Sequence, residues 1–278
     1  EVKEADAMMR DEAFWNQYRQ VSLTKSESRM ETFIHNLEQI KGFKYIIFGA
    51  KAFIENFVET GNPSKVDIGP INTMITSNSV DGLRTRISAQ TTANLNKNWF
   101  LSGYYAHGWE SKKNYYKGEL TYSFNKKEYL PREFPKRTLT LMTTYDVASP
   151  SDKFLRTDKD NVFTAFKWTK VDQMMFYNKQ ELTFEREEDW GFKTTLAFKT
   201  EENEATNQLY FTPLSQSAEQ ISEIRGSSKI PSNGSYRTTE LRAELRFAPG
   251  ETFINTKQRR LKVNLDAPVF TIGHTMGL

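Results

Sequence analysis

The 278-residue chain has no cysteine and nearly balanced charge, 38 Lys+Arg against 35 Asp+Glu. That excludes a disulfide scaffold and any cysteine-ligated metal, and it makes no electrostatic case for nucleic acid. Mean hydropathy is negative and no apolar run approaches the roughly 18 residues of a membrane-spanning helix; a membrane barrel stays open, because its strands alternate apolar and polar residues.

The first residues have neither a basic start nor an apolar core, so the reading is of a chain whose signal peptide is gone or of part of something longer. Phe14, Trp15 and Tyr18 precede a predicted helix whose start carries a capping box, Thr24 with Glu27. Met30, Phe33, Ile34, Leu37 and Ile40 then recur at three and four. A second apolar stretch, from Tyr45 to Val58, is interrupted by Lys51 and Glu55 and ends at Gly61-Asn62-Pro63. Charge there forbids a bilayer crossing. A packed helix and an interfacial one with snorkelling lysines both fit. Residues 1–63 are accordingly read as a helical prefix and residues 64–278 as strands.

From residue 66 the period is two. Leu83 and Ile87 alternate with Arg84 and Arg86; Leu120 and Phe124 with Glu119; Leu241, Leu245 and Phe247 with Arg242, Glu244 and Arg246. Each strand so patterned has one apolar and one polar face. A soluble β-sandwich gives the same alternation, but several strands run to about ten residues, the length that crosses a bilayer. Aromatics cluster near strand ends, with Trp99, Tyr105, Trp109 and Tyr116 as the candidates for interfacial girdles. Short turns at 94–98 and 188–190 contrast with long polar connections at 149–161 and 213–235, an asymmetry familiar from barrels. About ten strands are expected.

His35, His107 and His274 have no partner at ligand spacing, and no nucleophile elbow, P-loop or dinucleotide fingerprint occurs. No catalytic residue, metal or cofactor is expected. Glu185, Glu187, Glu188 and Asp189 read as a solvated acidic turn.

The run from Val66 to Arg84 resembles the barrel entrance of a Bacteroidetes outer-membrane family of unknown function, in which a carboxypeptidase-regulatory-like domain precedes a barrel. The stretches from Phe14 to Thr24, Gly103 to Gly108, Leu120 to Lys127 and Arg242 to Glu251 are similar to it as well. The resemblance implies an antiparallel transmembrane β-barrel, distantly similar to surface-antigen and outer-membrane-assembly barrels. It implies outer-membrane location, the helical prefix on the periplasmic side, and a transport, assembly or scaffolding role. The chain is shorter than those proteins, so its barrel is expected to be incomplete.

On this reading Leu83, Ile87, Leu120, Phe124, Leu241, Leu245 and Phe247 face lipid. Arg84, Arg86, Glu119, Arg242, Glu244 and Arg246 face the lumen. Partners are outer-membrane lipid and, through the 24–60 helices, other outer-membrane or periplasmic proteins. The competing expectation is a soluble all-β module binding glycan or peptide through one aromatic patch.

Overall fold

The computed structural model describes residues 42, 45, 49, 55–151, 171, 173–207, 209–211, 234–264 and 266–278. The chain divides into Glu1–Lys51 and Ala52–Leu278. Almost all of the expected helical prefix, its capping box included, lies outside the described residues, as do most of both long polar connections. The described chain is mainly β and antiparallel.

The strands are β1 (Val58–Glu59), β2 (Val66–Ile68), β3 (Ile75–Asn78), β4 (Gly82–Thr91), β5 (Trp99–Gly108), β6 (Asn114–Ser123) and β7 (Arg137–Ala148). They continue as β8 (Gln173–Glu187), β9 (Phe192–Asn207), β10 (Ser235–Phe247), β11 (Phe253–Asn255), β12 (Arg260–Lys262) and β13 (Phe270–Gly277). Eleven of these build one sheet in the order β1-β2-β4-β5-β6-β7-β8-β9-β10-β13, with β3 also on β4; β11 and β12 form a separate hairpin. Among the described residues no ladder joins β1 to β13, so the sheet is not closed.

Chain-order meander explains the topology: each alternating stretch pairs with the one before it through a local turn. β2 and β3 are two pieces of one interrupted strand. Ile68 pairs with Ala89 and Ile75 with Thr85, and the residues between bulge into a 3-10 turn at Ile71–Thr73. Asn78 closes the following turn, its Oδ1 accepting from the Val80 and Asp81 amides at 2.9 and 2.8 Å. Gly191 turns β8 into β9 at φ 89°, and a Cβ there would stand 2.4 Å from the Ala248 carbonyl oxygen. Only glycine lets those two connections touch.

β8, β9 and β10 are 15, 16 and 13 residues long, well beyond the usual five or six. The turns at 92–98, 124–136 and 188–191 lie at one end, together with the connection after β10; 109–113 and the two long connections lie at the other.

The distribution of burial is inverted. Among the described residues, 20 buried side chains are polar or charged and 14 are hydrophobic. A compact apolar cluster, Ala106, Tyr115, Val147, Met174 and Phe176, sits toward the end of the sheet that carries the long connections. Most large apolar residues are exposed instead.

Candidate functional site: two opposed faces of one sheet

Register puts the apolar residues of successive strands side by side. Leu101 pairs with Leu120, Leu120 with Leu141, Leu141 with Leu182, Leu182 with Phe198, Phe198 with Leu241 and Leu241 with Met276. This unbroken row spans seven strands, and its members are exposed, Leu101 at 56% and Leu141 at 55%. Within the described residues no other layer covers it. Such a contiguous exposed apolar surface is far larger than the isolated apolar residues normal on a surface.

Aromatic contacts line the short-turn end of this face. Trp99 meets Tyr122 at 4.8 Å, Tyr122 meets Phe124 at 5.1 Å and Phe124 meets Phe184 at 6.1 Å. Trp190 stacks on Phe192 at 5.0 Å and meets Phe247 at 5.8 Å, and Phe247 meets Phe270 at 6.5 Å. Toward the other end, Ile87, Tyr105, Tyr116 and Tyr145 share one row. Trp99 and Trp109 stand ten positions apart, about 33 Å along an extended strand, and so do not form one patch.

The apolar belt crosses the ladder obliquely. The row of Ile87 passes through Tyr105, Tyr116, Tyr145, Asn178 and Glu202 to Arg237, apolar at one side and charged at the other. Arg237 lies six residues short of Ala243, the midpoint of the apolar positions on β10. Thr85, the midpoint on β4, lies two residues beyond Ile87. The belt therefore slides about eight residues over the six strand steps from β4 to β10. At about 3.3 Å per residue and about 4.8 Å per strand, strands and belt normal diverge by roughly 40°.

The opposite face carries the polar partners. Arg84, Arg86, Glu119, Arg242, Glu244 and Arg246 all alternate onto it, and Leu83, Ile87, Leu120, Phe124, Leu241, Leu245 and Phe247 onto the other. At the long-loop end Arg84 donates to Asp146 at 2.6 Å, Tyr104 donates to the same carboxylate, and Arg84 lies over the Tyr115 ring at 4.6 Å. Tyr115 donates to Asp81 at 2.5 Å. Further along, Lys117–Glu119, Lys179–Glu181 and Lys199–Glu240 pair at 2.9, 3.1 and 3.0 Å. The first two pairs lie along single strands and the third joins register partners on β9 and β10, a favourable cross-strand contact.

At the short-turn end the face is roofed by chain. The β11–β12 hairpin reaches back to the opposite side of the sheet, where Gln258 donates to Asp67 at 2.6 Å and accepts from Gln90 at 2.7 Å. Lys257 pairs with Glu59 at 2.9 Å. Arg260 donates twice to Glu187, at 2.9 and 2.7 Å, and lies 3.6 Å over the Phe253 ring. The sheet must curl for strands so far apart in its order to share one hairpin.

The 124–136 connection is held from within. Glu133 accepts from the amides of Glu128, Tyr129 and Leu130 at 2.8, 2.6 and 2.9 Å, and Lys127 donates to the Glu133 and Pro135 carbonyls at 2.7 Å each. Burial pushes the Lys127 ammonium down to about 8, outweighing the opposing pull of Glu133. Burial, then the hydrogen bond to Asp67, pushes the Tyr129 phenol up. The hydrogen bond from Arg246 holds the Glu251 carboxyl below its ordinary range.

One expectation is corrected. The acidic residues near 185–189 are not simply solvated: Glu187 is buried against Arg260 and the Lys136 amide, Glu185 is shared by Lys136 and Lys193, and Glu188 pairs with Arg137 at 3.1 Å. Sequence reasoning also missed the hairpin, whose only local signal was the short run around Gln258 between two apolar-containing segments.

Among the described residues no group of three or more His, Asp or Glu is placed to hold a metal ion. Comparison with protein families, with curated proteins and with solved structures finds no match to this chain.

Proposed function

We propose that the chain is part of an integral outer-membrane β-barrel, its apolar face against lipid and its charged face toward a hydrated lumen. The observation that carries this reading is the uncovered apolar row from Leu101 to Met276. The inclination of the apolar belt to the strands agrees with the 35–45° at which barrel strands cross a bilayer. The aromatic contacts along the short-turn end suit a headgroup girdle. Leaving such a face in water would be costly at about 25 cal/mol per Å², whereas lipid removes the cost.

The short-turn end is then the periplasmic end, and the long connections face outward. The family resemblance between Val66 and Arg84 adds a role in transport, in assembly of other proteins or in scaffolding, and the ion-paired face suits a hydrated passage.

Spin labels replacing Leu245 and Arg246 test the reading in reconstituted bilayers. Leu245 is expected to respond to a lipid-soluble quencher and Arg246 to a water-soluble one. Equal responses, or a protein that stays soluble without detergent, would instead favour a soluble all-β binding module.

A further inference from the structure

Among the described residues, no backbone ladder joins the β11–β12 hairpin to the main sheet. Its own ladder, and the turn bond from the Thr256 amide to the Arg259 carbonyl, close within it. Side chains attach it to the sheet, and most of them are polar: the Gln258 bonds to Asp67 and Gln90, the Lys257–Glu59 pair and the Arg260–Glu187 pair. Phe253 meets Phe134 at 5.8 Å. Ile254, Leu261 and Val263 stay 57, 49 and 54% exposed, so the hairpin buries little apolar surface. An element held in this way belongs to the part of a protein that opens at low cost.

Its placement is a second, independent observation. The hairpin follows β10 and touches Glu187 of β8, yet its tip reaches Glu59 of β1, Asp67 of β2 and Gln90 of β4. It therefore crosses the short-turn mouth of the polar face from one side of the sheet to the other. Behind the tip lies a cavity of about 360 Å³ whose lining includes Ser88, Gln90, Glu119, Thr121 and Thr140. These groups are polar and the space is roomy enough to hold water, so the hydrated side of the sheet continues inward past the hairpin. The base of the hairpin is fixed, because Glu251 accepts from Arg246 at 2.6 Å and pairs with Lys262 at 3.2 Å. That sets a pivot beside β10 and leaves the tip as the moving part.

We propose that the β11–β12 hairpin is a releasable latch that closes the lumen at its short-turn end. The inference rests on the reading of the polar face as a lumen. Latched, the tip lies across the mouth; when Gln258 and Arg260 let go, it swings on its base and the passage widens. The sheet survives the release, because Asp67 keeps its donors Tyr129 and Ser64 and Glu187 keeps the Lys136 amide. Water takes over the groups that Gln258 and Arg260 leave. The Lys257–Glu59 pair is the exposed one of these contacts, so salt screens it and higher ionic strength favours the open form.

Single-channel conductance of the full chain in planar bilayers tests the latch. Gln258→Ala with Arg260→Ala is expected to raise conductance at least threefold. The chain has no cysteine, so Glu59→Cys with Lys257→Cys places one thiol on each side of the latch. Joined by a reducible bifunctional cross-linker, the two should hold conductance at or below the wild-type level, and reduction should raise it. This arm decides the matter even if the alanine variant fails to fold. Spin labels on Lys97→Cys and Arg259→Cys read the tip directly, and a second, longer distance is expected once the alanine substitutions are added. Unchanged conductance while the labels separate, labels that keep one distance, or cross-linking without effect would overturn the latch. No channel in any form, with the Leu245 and Arg246 labels responding as lipid-facing and lumen-facing, overturns the latch alone; equal responses of those two labels overturn the lumen itself.

Discussion

Gln258, at the tip between β11 and β12, donates to Asp67 of β2 at 2.6 Å across 191 residues of sequence. Asp67 is fully buried and also accepts from Tyr129, at 3.0 and 2.9 Å, and from Ser64 at 2.8 Å. One carboxylate therefore ties together the first strands, the 124–136 connection and the hairpin after β10. Asp67→Ala leaves Gln258 and Tyr129 without an acceptor, while the Ser64 hydroxyl keeps the Val66 carbonyl at 2.9 Å, and should cost roughly 2–4 kcal/mol. Hydrogen exchange is expected to rise at 253–262 and 128–130 together; a rise at only one would show that the two are not coupled through Asp67.

Arg84 and Asp146 form a buried pair at 2.6 Å with Tyr104 on the same carboxylate. Removing one partner strands the other charge, so Arg84→Ala should destabilise by about 3–5 kcal/mol. The double variant Arg84→Met with Asp146→Leu should cost clearly less. Denaturant titration of the singles and the double measures the coupling, and additive losses would argue against it.

Lys127 supplies a pH signature. Its folded-state value of about 8 lies below the unfolded value of 10.5, so the unfolded chain holds the extra proton between them. Stability should rise with pH across that window, fully expressed only once the unfolded lysine also deprotonates. Up to pH 10, before the Tyr129 phenol acts in the opposite sense, the gain is at most about 2 kcal/mol. Lys127→Gln should lower the baseline and flatten the rise. The slope of unfolding midpoint against pH is the readout, and a slope unchanged in the variant would remove Lys127 as its source.

Charge on the apolar row should be far worse than charge beside it. Leu141→Arg is expected to cost about 2–4 kcal/mol in a bilayer if the row lies near mid-membrane. Thr140→Arg, one position away on the polar face, should cost less than about 1 kcal/mol. Refolding into lipid vesicles followed by heat-modifiable migration separates the two, and equal losses would count against an apolar-out orientation.

Much of the sheet was legible in the chain because alternation is local. Glu240 to Phe247 names both faces of β10 without any knowledge of its neighbours, and the short polar runs at 94–98 and 188–190 mark where strands reverse. The ion network at the short-turn end was not legible. Glu185 and Glu187 look like a solvated cluster until Lys136, Lys193 and Arg260, far away in sequence, are placed against them.

Composition and period, then, determined a long-stranded antiparallel sheet with one apolar and one charged face, because side-chain direction along a strand follows from backbone geometry alone. Only the tertiary structure decided that the apolar residues join in an unbroken row within an inclined belt, and that the polar face is roofed at one end. Register, curl and the return of the hairpin set those distances, and each depends on pairings between residues that no local pattern connects.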